Sequence, residues 1–134
     1  MRPLVALLAA SLLLTACGGA GAPGPSASPT AISPIPGAVL VTRANDQGTV
    51  QARVGDRIQI ALGTDFEWRL DPPDGVVLTR GVGNELLVRG TQAVWTASAP
   101  GTSTITATGT VICPSGKACI LIAILFKTTV VVSP

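Results

Sequence analysis

The feature that most limits the fold of this 134-residue chain is a strict alternation of apolar and polar residues. In residues 57–62, RIQIAL, the two isoleucines and the leucine fall on one side, and Arg57 and Gln59 fall on the other. Residues 66–70, FEWRL, alternate in the same way, with Glu67 and Arg69 turned outward. Because successive side chains of a β-strand point to opposite faces, both runs predict half-buried strands, with Trp68 in the core.

Turn residues separate these runs along the rest of the chain. Clusters of Gly, Pro, Asn and Asp recur between short β-branched segments, and we find no amphipathic helix beyond the N-terminal apolar run. Short strands at this spacing predict an all-β fold, an antiparallel sandwich or barrel. The predicted strands lie near residues 38–43, 49–54, 57–62, 66–70, 76–80, 85–89, 92–98, 102–112 and 119–132.

The N-terminus has the pattern of an export signal. Arg2 is followed by an apolar run that ends at Leu14-Thr15-Ala16-Cys17. This ending resembles the lipobox of bacterial lipoproteins. The resemblance implies a diacylglycerol thioether on Cys17, cleavage before it, and acylation of the new amino group. The other interpretation is an ordinary cleaved signal, with Cys17 a bystander.

The resemblance also implies a domain organisation and a location. Residues 1–16 are then a signal peptide, residues 17–36 a lipidated Cys followed by a Gly/Pro/Ser-rich tether, and residues 37–134 the β-sandwich domain. The tether is free of charge and rich in proline, which favours extended conformations. It is either a spacer or a disordered leader without a selected length. We expect an extracytoplasmic protein, anchored by lipid to the bacterial cell membrane or outer membrane.

Charge and composition narrow the choice of partner. The chain has nine basic and seven acidic residues, and without Arg2 the net charge is about +1. There is no basic stripe to replace counterions, and few aromatic residues on which bases could stack. We therefore expect no nucleic-acid partner, and a protein partner besides the membrane.

The apolar run at residues 120–126, ILIAILF, has no polar side. It is too short to cross a bilayer, which takes about 20 apolar residues. The expectation is a central strand covered on both faces. The alternative is an exposed patch around Leu121 and Leu125 that binds a protein or lies against a lipid surface.

Cys113 and Cys119 form an even pair once Cys17 is assigned to lipid. They flank five residues at a point where two β-runs must reverse, so a disulfide at a hairpin tip is predicted. A metal site is the alternative, but two thiols without a histidine do not complete a tetrahedral ligand set. A redox pair is also an alternative, although the spacing is not Cys-x-x-Cys.

Catalytic chemistry has little support in this sequence. The chain lacks histidine, which removes Ser-His-Asp and Cys-His mechanisms, and it lacks tyrosine. The segment Asp71-Pro-Pro-Asp74-Gly75 could suggest calcium, but a Pro/Gly turn explains it better. We expect no enzyme activity, no cofactor and no metal.

A second resemblance covers most of residues 48–106. The run from Gly48 to Leu62, followed by Phe66-Glu67-Trp68, resembles the opening of chagasin-type cysteine-protease inhibitors. Gly90 and then residues 94–106 are similar to their later strands. That family has an immunoglobulin-like sandwich and fills protease clefts with three loops at one end. Many bacterial immunoglobulin-like modules share the Pro-Gly-Thr-x-x-Ile-Thr pattern of residues 100–106 equally well.

The sequence departs from this family in the loops. Where the first loop of the family carries an Asn-Pro-x-Thr-Gly type motif, this chain has Gly63-Thr64-Asp65, and the Arg-Pro-Trp motif of the third loop is absent. The first hypothesis is therefore a lipid-anchored binding module without catalysis. The alternatives are a chagasin-like inhibitor with altered loops and a structural envelope lipoprotein. The candidate binding-loop residues are Thr64, Asp65, Gly90 and Lys117.

Overall fold

Two four-stranded sheets form the fold in a computed structural model that describes residues 32–81 and 87–134. One sheet has the strand order β1-β3-β6-β5 and the other β2-β8-β7-β4. A short 3-10 helix, Arg43–Asn45, follows β1. The strands are β1 Ala38–Val41, β2 Thr49–Arg53, β3 Arg57–Ile60, β4 Phe66–Leu70, β5 Leu78–Arg80, β6 Ala93–Ala97, β7 Gly101–Val111 and β8 Ala123–Ser133.

The core lies between the two sheets and takes side chains from both. Ile58 and Trp95 come from the first sheet, and Ile105, Phe126 and Val130 from the second. All five side chains are at most 4% exposed. Along β7 and β8 the buried side chains alternate with more exposed ones, as the period-two sequence pattern predicts, whereas β3 is buried from Ile58 to Ile60. The predicted all-β sandwich is confirmed.

Two of the six strand pairs are parallel rather than antiparallel, namely β1 with β3 and β2 with β8. After β1 the chain crosses to the opposite sheet through the 3-10 helix and forms β2 there. It then returns to the first sheet, so that β3 runs beside β1 in the same direction. In each parallel pair one member, β1 or β2, is an edge strand of its sheet.

Several predicted strands differ from those in the structure. The strands predicted at 38–43 and 57–62 end at Val41 and Ile60, because the chain enters the 3-10 helix and the first connecting loop there. The strand predicted at 76–80 begins only at Leu78. Residues 89–90 form a turn, and part of the strand predicted at 85–89 lies outside the described residues. The strand predicted at 119–132 begins at Ala123, because residues 113–122 belong to a disulfide-closed loop and its exit.

Trp68 faces inward as predicted and packs against the core. It is only half-buried, however, so the prediction that it is a fully buried core residue is wrong. β7 and β8 each have 11 residues, whereas the strands of the facing sheet have three to five. The inner face of the longer sheet therefore continues past its cover, and Trp68 lies on that part. The buried tryptophan is Trp95, which is 4% exposed.

The last residues before β1 lie on the outer face of β3. Gln59 points outward from β3 yet is fully buried, because residues 32–36 cover it. Its side-chain oxygen accepts a hydrogen bond from the Ile35 backbone N–H at 2.7 Å, and its amide nitrogen donates to the Ser33 carbonyl at 3.1 Å. The Arg57 guanidinium donates to the Pro36 carbonyl at 3.1 Å. The end of the predicted tether is thus bonded to the sandwich.

Within residues 32–81 and 87–134, no helix has the length and apolar character needed to cross a membrane.

Candidate binding loops at one end of the sandwich

Three loops meet at one end of the sandwich, which we call the loop end. β3 ends at Ile60, which pairs with Ala93, the first residue of β6. β4 begins at Phe66, which pairs with Val111, the last residue of β7. The first loop (residues 61–65), the second loop (described for residues 81 and 87–92) and the third loop (residues 112–122) therefore lie together.

The first loop is held flat against the second by Gln92. The Leu62 backbone N–H donates to the Gln92 side-chain oxygen at 2.6 Å, and the Gln92 amide donates to the Gly63 carbonyl at 2.7 Å. The Gly63 N–H also donates to the Gly90 carbonyl at 3.1 Å. Both glycines have positive φ, +91° and +84°, a conformation that side chains disfavour. The first loop therefore does not protrude.

Arg43 covers the open side of the loop end. Its guanidinium lies 5.1 Å from the ring centre of Phe66 and 5.9 Å from that of Trp68. Such cation–π contacts contribute about 0.5–1 kcal/mol at exposed sites. Arg43 also pairs with Asp65 of the first loop at 3.8 Å, although both side chains remain largely exposed. The 3-10 helix and the first loop are thus joined through one side chain.

A groove of about 650 Å³ lies beside this cluster. It is lined by Arg43, Ala44, Asp46, Trp68, Ile124, Leu125 and Phe126. The Trp68 indole nitrogen is buried and has no hydrogen-bond partner among the described residues. Leu125 is 61% exposed on the outer face of β8, so apolar surface continues along β8 to the third loop.

The third loop is closed by the predicted disulfide between Cys113 and Cys119, whose Cα atoms are 5.8 Å apart. This confirms the disulfide over the metal and redox alternatives. Gly116 has a positive φ of +79° at the turn, and Lys117 beside it is exposed. Among the described residues, this loop makes only local hydrogen bonds, so the disulfide is what holds its two ends together.

A large exposed apolar surface lies where the third loop joins β7 and β8. It consists of Ile112, Ile120, Leu121 and Ile122, and we call it the apolar tip because it is at the tip of the sandwich, not of the loop. Leu121 is 97% exposed and Ile120 is 76% exposed. The expectation that both faces of the run 120–126 are covered is therefore wrong for residues 120–122 and, on the outer face of β8, for Leu125. β8 is a central strand as expected, but these three residues precede its ladder. The alternative of an exposed patch at Leu121 and Leu125 is the one observed.

The candidate loop residues predicted from sequence all lie at the loop end. Thr64 is half-buried and Asp65 exposed in the first loop, Gly90 is buried in the second, and Lys117 is exposed in the third. Cys17 lies outside the described residues.

The roles of Arg43 and Gln92 were not predicted from the sequence. Each depends on partners 20 or more residues away, and no local pattern marks them.

Asp74 forms a turn rather than a cation site. One carboxylate oxygen accepts hydrogen bonds from the backbone N–H groups of Val76, Val77 and Leu78, and the other accepts from the Ser103 hydroxyl. Partial burial raises the pKa of Asp74, but the Ser103 and backbone hydrogen bonds outweigh it and leave the pKa below its usual value. In the part of the chain that the structure describes, no cluster of acidic or cysteine side chains could hold a metal ion.

Comparison with known proteins shows the fold and nothing finer. No protein-family model and no curated protein matches the chain. Among solved structures, the cysteine protease inhibitor EhICP2 from Entamoeba histolytica matches with a TM-score of 0.51 and 16% sequence identity, over 71% of this chain and 94% of that protein. Amebosin matches with a TM-score of 0.43 and 19% identity, over 72% of this chain and 98% of that protein. The first likeness agrees with an immunoglobulin-like sandwich.

Proposed function

We propose that this chain is a non-enzymatic binding protein that inhibits a cysteine protease by inserting its third loop into the active-site cleft. The observation that carries the proposal is the apolar tip on a disulfide-closed loop, with two further loops beside it. A partner of this loop end would bury Leu121 and Ile120, and each large apolar side chain so buried contributes about 1.5–3 kcal/mol. Binding through a few exposed apolar anchors is typical of protein interfaces.

Two kinds of evidence support an inhibitor. EhICP2, whose structure matches with a TM-score of 0.51, is a cysteine protease inhibitor, and residues 48–106 resemble the chagasin family. The loops differ from that family in a way that the geometry explains. Gln92 holds the first loop flat, so the protruding element here is the third loop. The proposed wedge is therefore centred on residues 112–122.

A titration of papain-like proteases with the purified chain tests the proposal. We expect sub-micromolar inhibition by the unmodified chain and a loss of at least tenfold in Leu121→Asp, because a carboxylate would have to be desolvated in the cleft. Val76→Asp is the matched control, since Val76 is an exposed apolar residue (68%) at the opposite end of the sandwich. Absence of inhibition across a panel of such proteases, or equal inhibition by both variants, would refute the proposal.

A second candidate is a module that binds a different envelope or extracellular protein. The absence of the family's first-loop and third-loop motifs favours it. Crosslinking in the native cell separates the two candidates, because a crosslink from the loop end to a protein without protease activity supports the second. Recovery of a cysteine protease supports the first.

We also propose that the mature chain is anchored to a bacterial membrane through lipid on Cys17, outside the cytoplasm. The support is the Leu14-Thr15-Ala16-Cys17 sequence behind an apolar run, because a thiol is required for the diacylglycerol thioether. We expect Cys17→Ser to abolish lipid incorporation and to leave the protein unprocessed or released. A Ser variant that still has the mature size and still partitions with membranes until detergent is added would overturn the anchor.

A further inference from the structure

We infer that the apolar tip docks on the lipid surface of the membrane to which the chain is tethered. The inference goes beyond protease inhibition and rests only on the proposed attachment at Cys17. The loop end would then have two alternative binding partners, the lipid bilayer and a protein. Three observations carry it, namely where the described chain begins, how far Cys17 can reach, and the chemistry of the tip.

The described chain begins at the loop end. A Cβ placed on Gly90 of the second loop would lie 3.9 Å from the Ile32 side chain and 3.6 Å from Gly63 of the first loop. From Ile32 the chain runs across β3 away from the loop end, since Ser33 contacts Gln59 and Pro36 contacts Arg57. A tether that joins Ile32 to a membrane therefore approaches the sandwich from the side on which the apolar tip lies.

The length of the preceding segment keeps the loop end close to the bilayer. Cys17 precedes Ile32 by 15 residues in the sequence, which gives a reach of about 46 Å at ~3.1 Å per residue. The sandwich itself is about 35 Å long, from the 11 residues of β7 at ~3.3 Å each. Because the segment from Cys17 joins the sandwich at the loop end, this end lies nearer to the attachment point than the opposite end, which is about 35 Å further along the domain.

The chemistry of the tip fits a lipid surface. Leu121 and Ile120 are almost fully exposed, and apolar side chains that enter the headgroup boundary provide the binding energy of interfacial anchors. Lys117 and Arg89 are exposed in the third and second loops, and both can attract anionic lipid headgroups. The acidic residue in the described part of these loops, Asp65, pairs with Arg43. Glu85 of the second loop lies outside the described residues.

Docking on lipid would compete with a protein partner, because both occupants use Leu121 and Ile120. A partner that binds the loop end must then first displace it from the membrane. How the loop end divides between the lipid-docked and the protein-bound state depends on the difference between the affinities of lipid and protein for the apolar tip. Anionic lipid should therefore weaken protease inhibition by the tethered chain, and a membrane-free chain should inhibit more strongly.

The test measures the depth of the tip on vesicles by tryptophan quenching. Leu121→Trp places a reporter at the tip, and Val76→Trp places one at the opposite end on a residue that is also exposed (68%). Because Cys113 and Cys119 are joined, Cys17 is the remaining thiol of the chain produced without residues 1–16, the predicted mature form, and it can be coupled to a maleimide lipid. The vesicles contain phosphatidylcholine and phosphatidylglycerol with brominated acyl chains. Chemical coupling makes the result independent of whether cells lipidate Cys17.

We expect the Leu121→Trp reporter to be quenched at least twofold more than the Val76→Trp reporter, above the background of Trp68 and Trp95. Both substitutions are at exposed positions, and cooperative thermal unfolding of each variant confirms that it is folded. Equal quenching at the two positions, or none at either, would overturn docking even if Cys17→Ser shows that the anchor is real. Inhibition of a protease together with such a result would leave the tip as a protein-binding surface alone.

Discussion

At the scale of single residues, Gly109 determines where the half-buried Trp68 can lie. The two residues are directly opposite each other in the β4–β7 pair, on the inward face. A Cβ on Gly109 would approach the indole ring at 2.9–3.0 Å, closer than real Cβ atoms come. The bare backbone at Gly109 therefore allows the indole to lie flat over β7, with Phe66 against its edge at a centroid distance of 5.9 Å.

We predict that Gly109→Ala lowers the free energy of unfolding by about 1–3 kcal/mol, the usual cost of overpacking. In a chain that already carries Trp68→Ala, adding Gly109→Ala should lower the free energy of unfolding much less, because the indole that the new Cβ would clash with is absent. Chemical denaturation of the single and double variants measures this. Thr110→Ala, on the exposed face next to Gly109, is the control. Equal effects of Gly109→Ala with and without the indole would contradict this account.

At the scale of elements, the segment at residues 32–36 behaves as an additional layer on β3. Gln59 joins it to the sandwich through Ser33 and Ile35, and it also donates to the Thr91 hydroxyl at 2.8 Å. A sequence pattern places Gln59 on an outer face but cannot show that this face is covered. The cover comes from residues that precede the predicted domain boundary at position 37.

We predict that Gln59→Leu destabilises the domain by about 1–3 kcal/mol, because the buried groups bonded to Gln59 lose their partner. Residues 32–36 should also become accessible to limited proteolysis before the sandwich unfolds. Gln51→Leu, at an exposed position of β2, is the matched control. Unchanged protease resistance of this segment in the Gln59 variant would show that other contacts hold it.

The disulfide closes only a short loop, and its contribution to stability is correspondingly small. We predict that Cys113→Ser/Cys119→Ser folds and loses about 2 kcal/mol, the loop-closure value for about seven residues. That loss lowers the melting temperature by about 8–16 °C for a domain of this size. Scanning calorimetry with and without reductant measures it. Failure of the double variant to fold, or two freely reactive thiols in the native protein, would be the contrary result.

The sequence predicted correctly those strands and bonds that a local residue pattern determines, and it missed those that depend on distant contacts. The alternation at residues 57–60 and 66–70 gave strands close to those observed, and the spacing of Cys113 and Cys119 indicated their bridge. The start of β8 was wrong because Ile120 to Ile122 have strong strand preference, while the loop exit leaves them without cross-strand partners. Arg43 and Gln92 act through distant contacts, which periodicity does not reveal.

At the scale of the whole molecule, Asp74 connects the two sheets at the end opposite the loop end. Its carboxylate accepts from the backbone leading into β5 of one sheet and from Ser103 on β7 of the other. Because these hydrogen bonds favour the ionised form, the folded pKa of Asp74 lies below its unfolded value of 3.8. Its contribution to stability is therefore complete above pH 3.8 and is lost as the pH falls through the folded pKa.

We predict that acid titration of the free energy of unfolding shows a loss below about pH 4 that is reduced in Asp74→Ala. At neutral pH this variant should be less stable than the unmodified chain, since three backbone donors and Ser103 lose their acceptor. Asp71→Ala, an exposed carboxylate three residues earlier, serves as the control. If the free energy of unfolding falls equally below pH 4 in Asp74→Ala and in the unmodified chain, groups other than Asp74 cause the loss.

The covering segment on β3 also determines how the molecule responds to mechanical tension. If the chain is held at Cys17, a pull on the domain enters at Ile32 and acts along residues 32–36 toward the loop end. The bonds to Gln59 and Arg57 then resist it together in shear, whereas β1 beyond the turn at Gly37 would be peeled from β3 one pair at a time. Force should therefore detach the covering segment and β1 first, while the three loops, carried by the remaining strands, keep their arrangement.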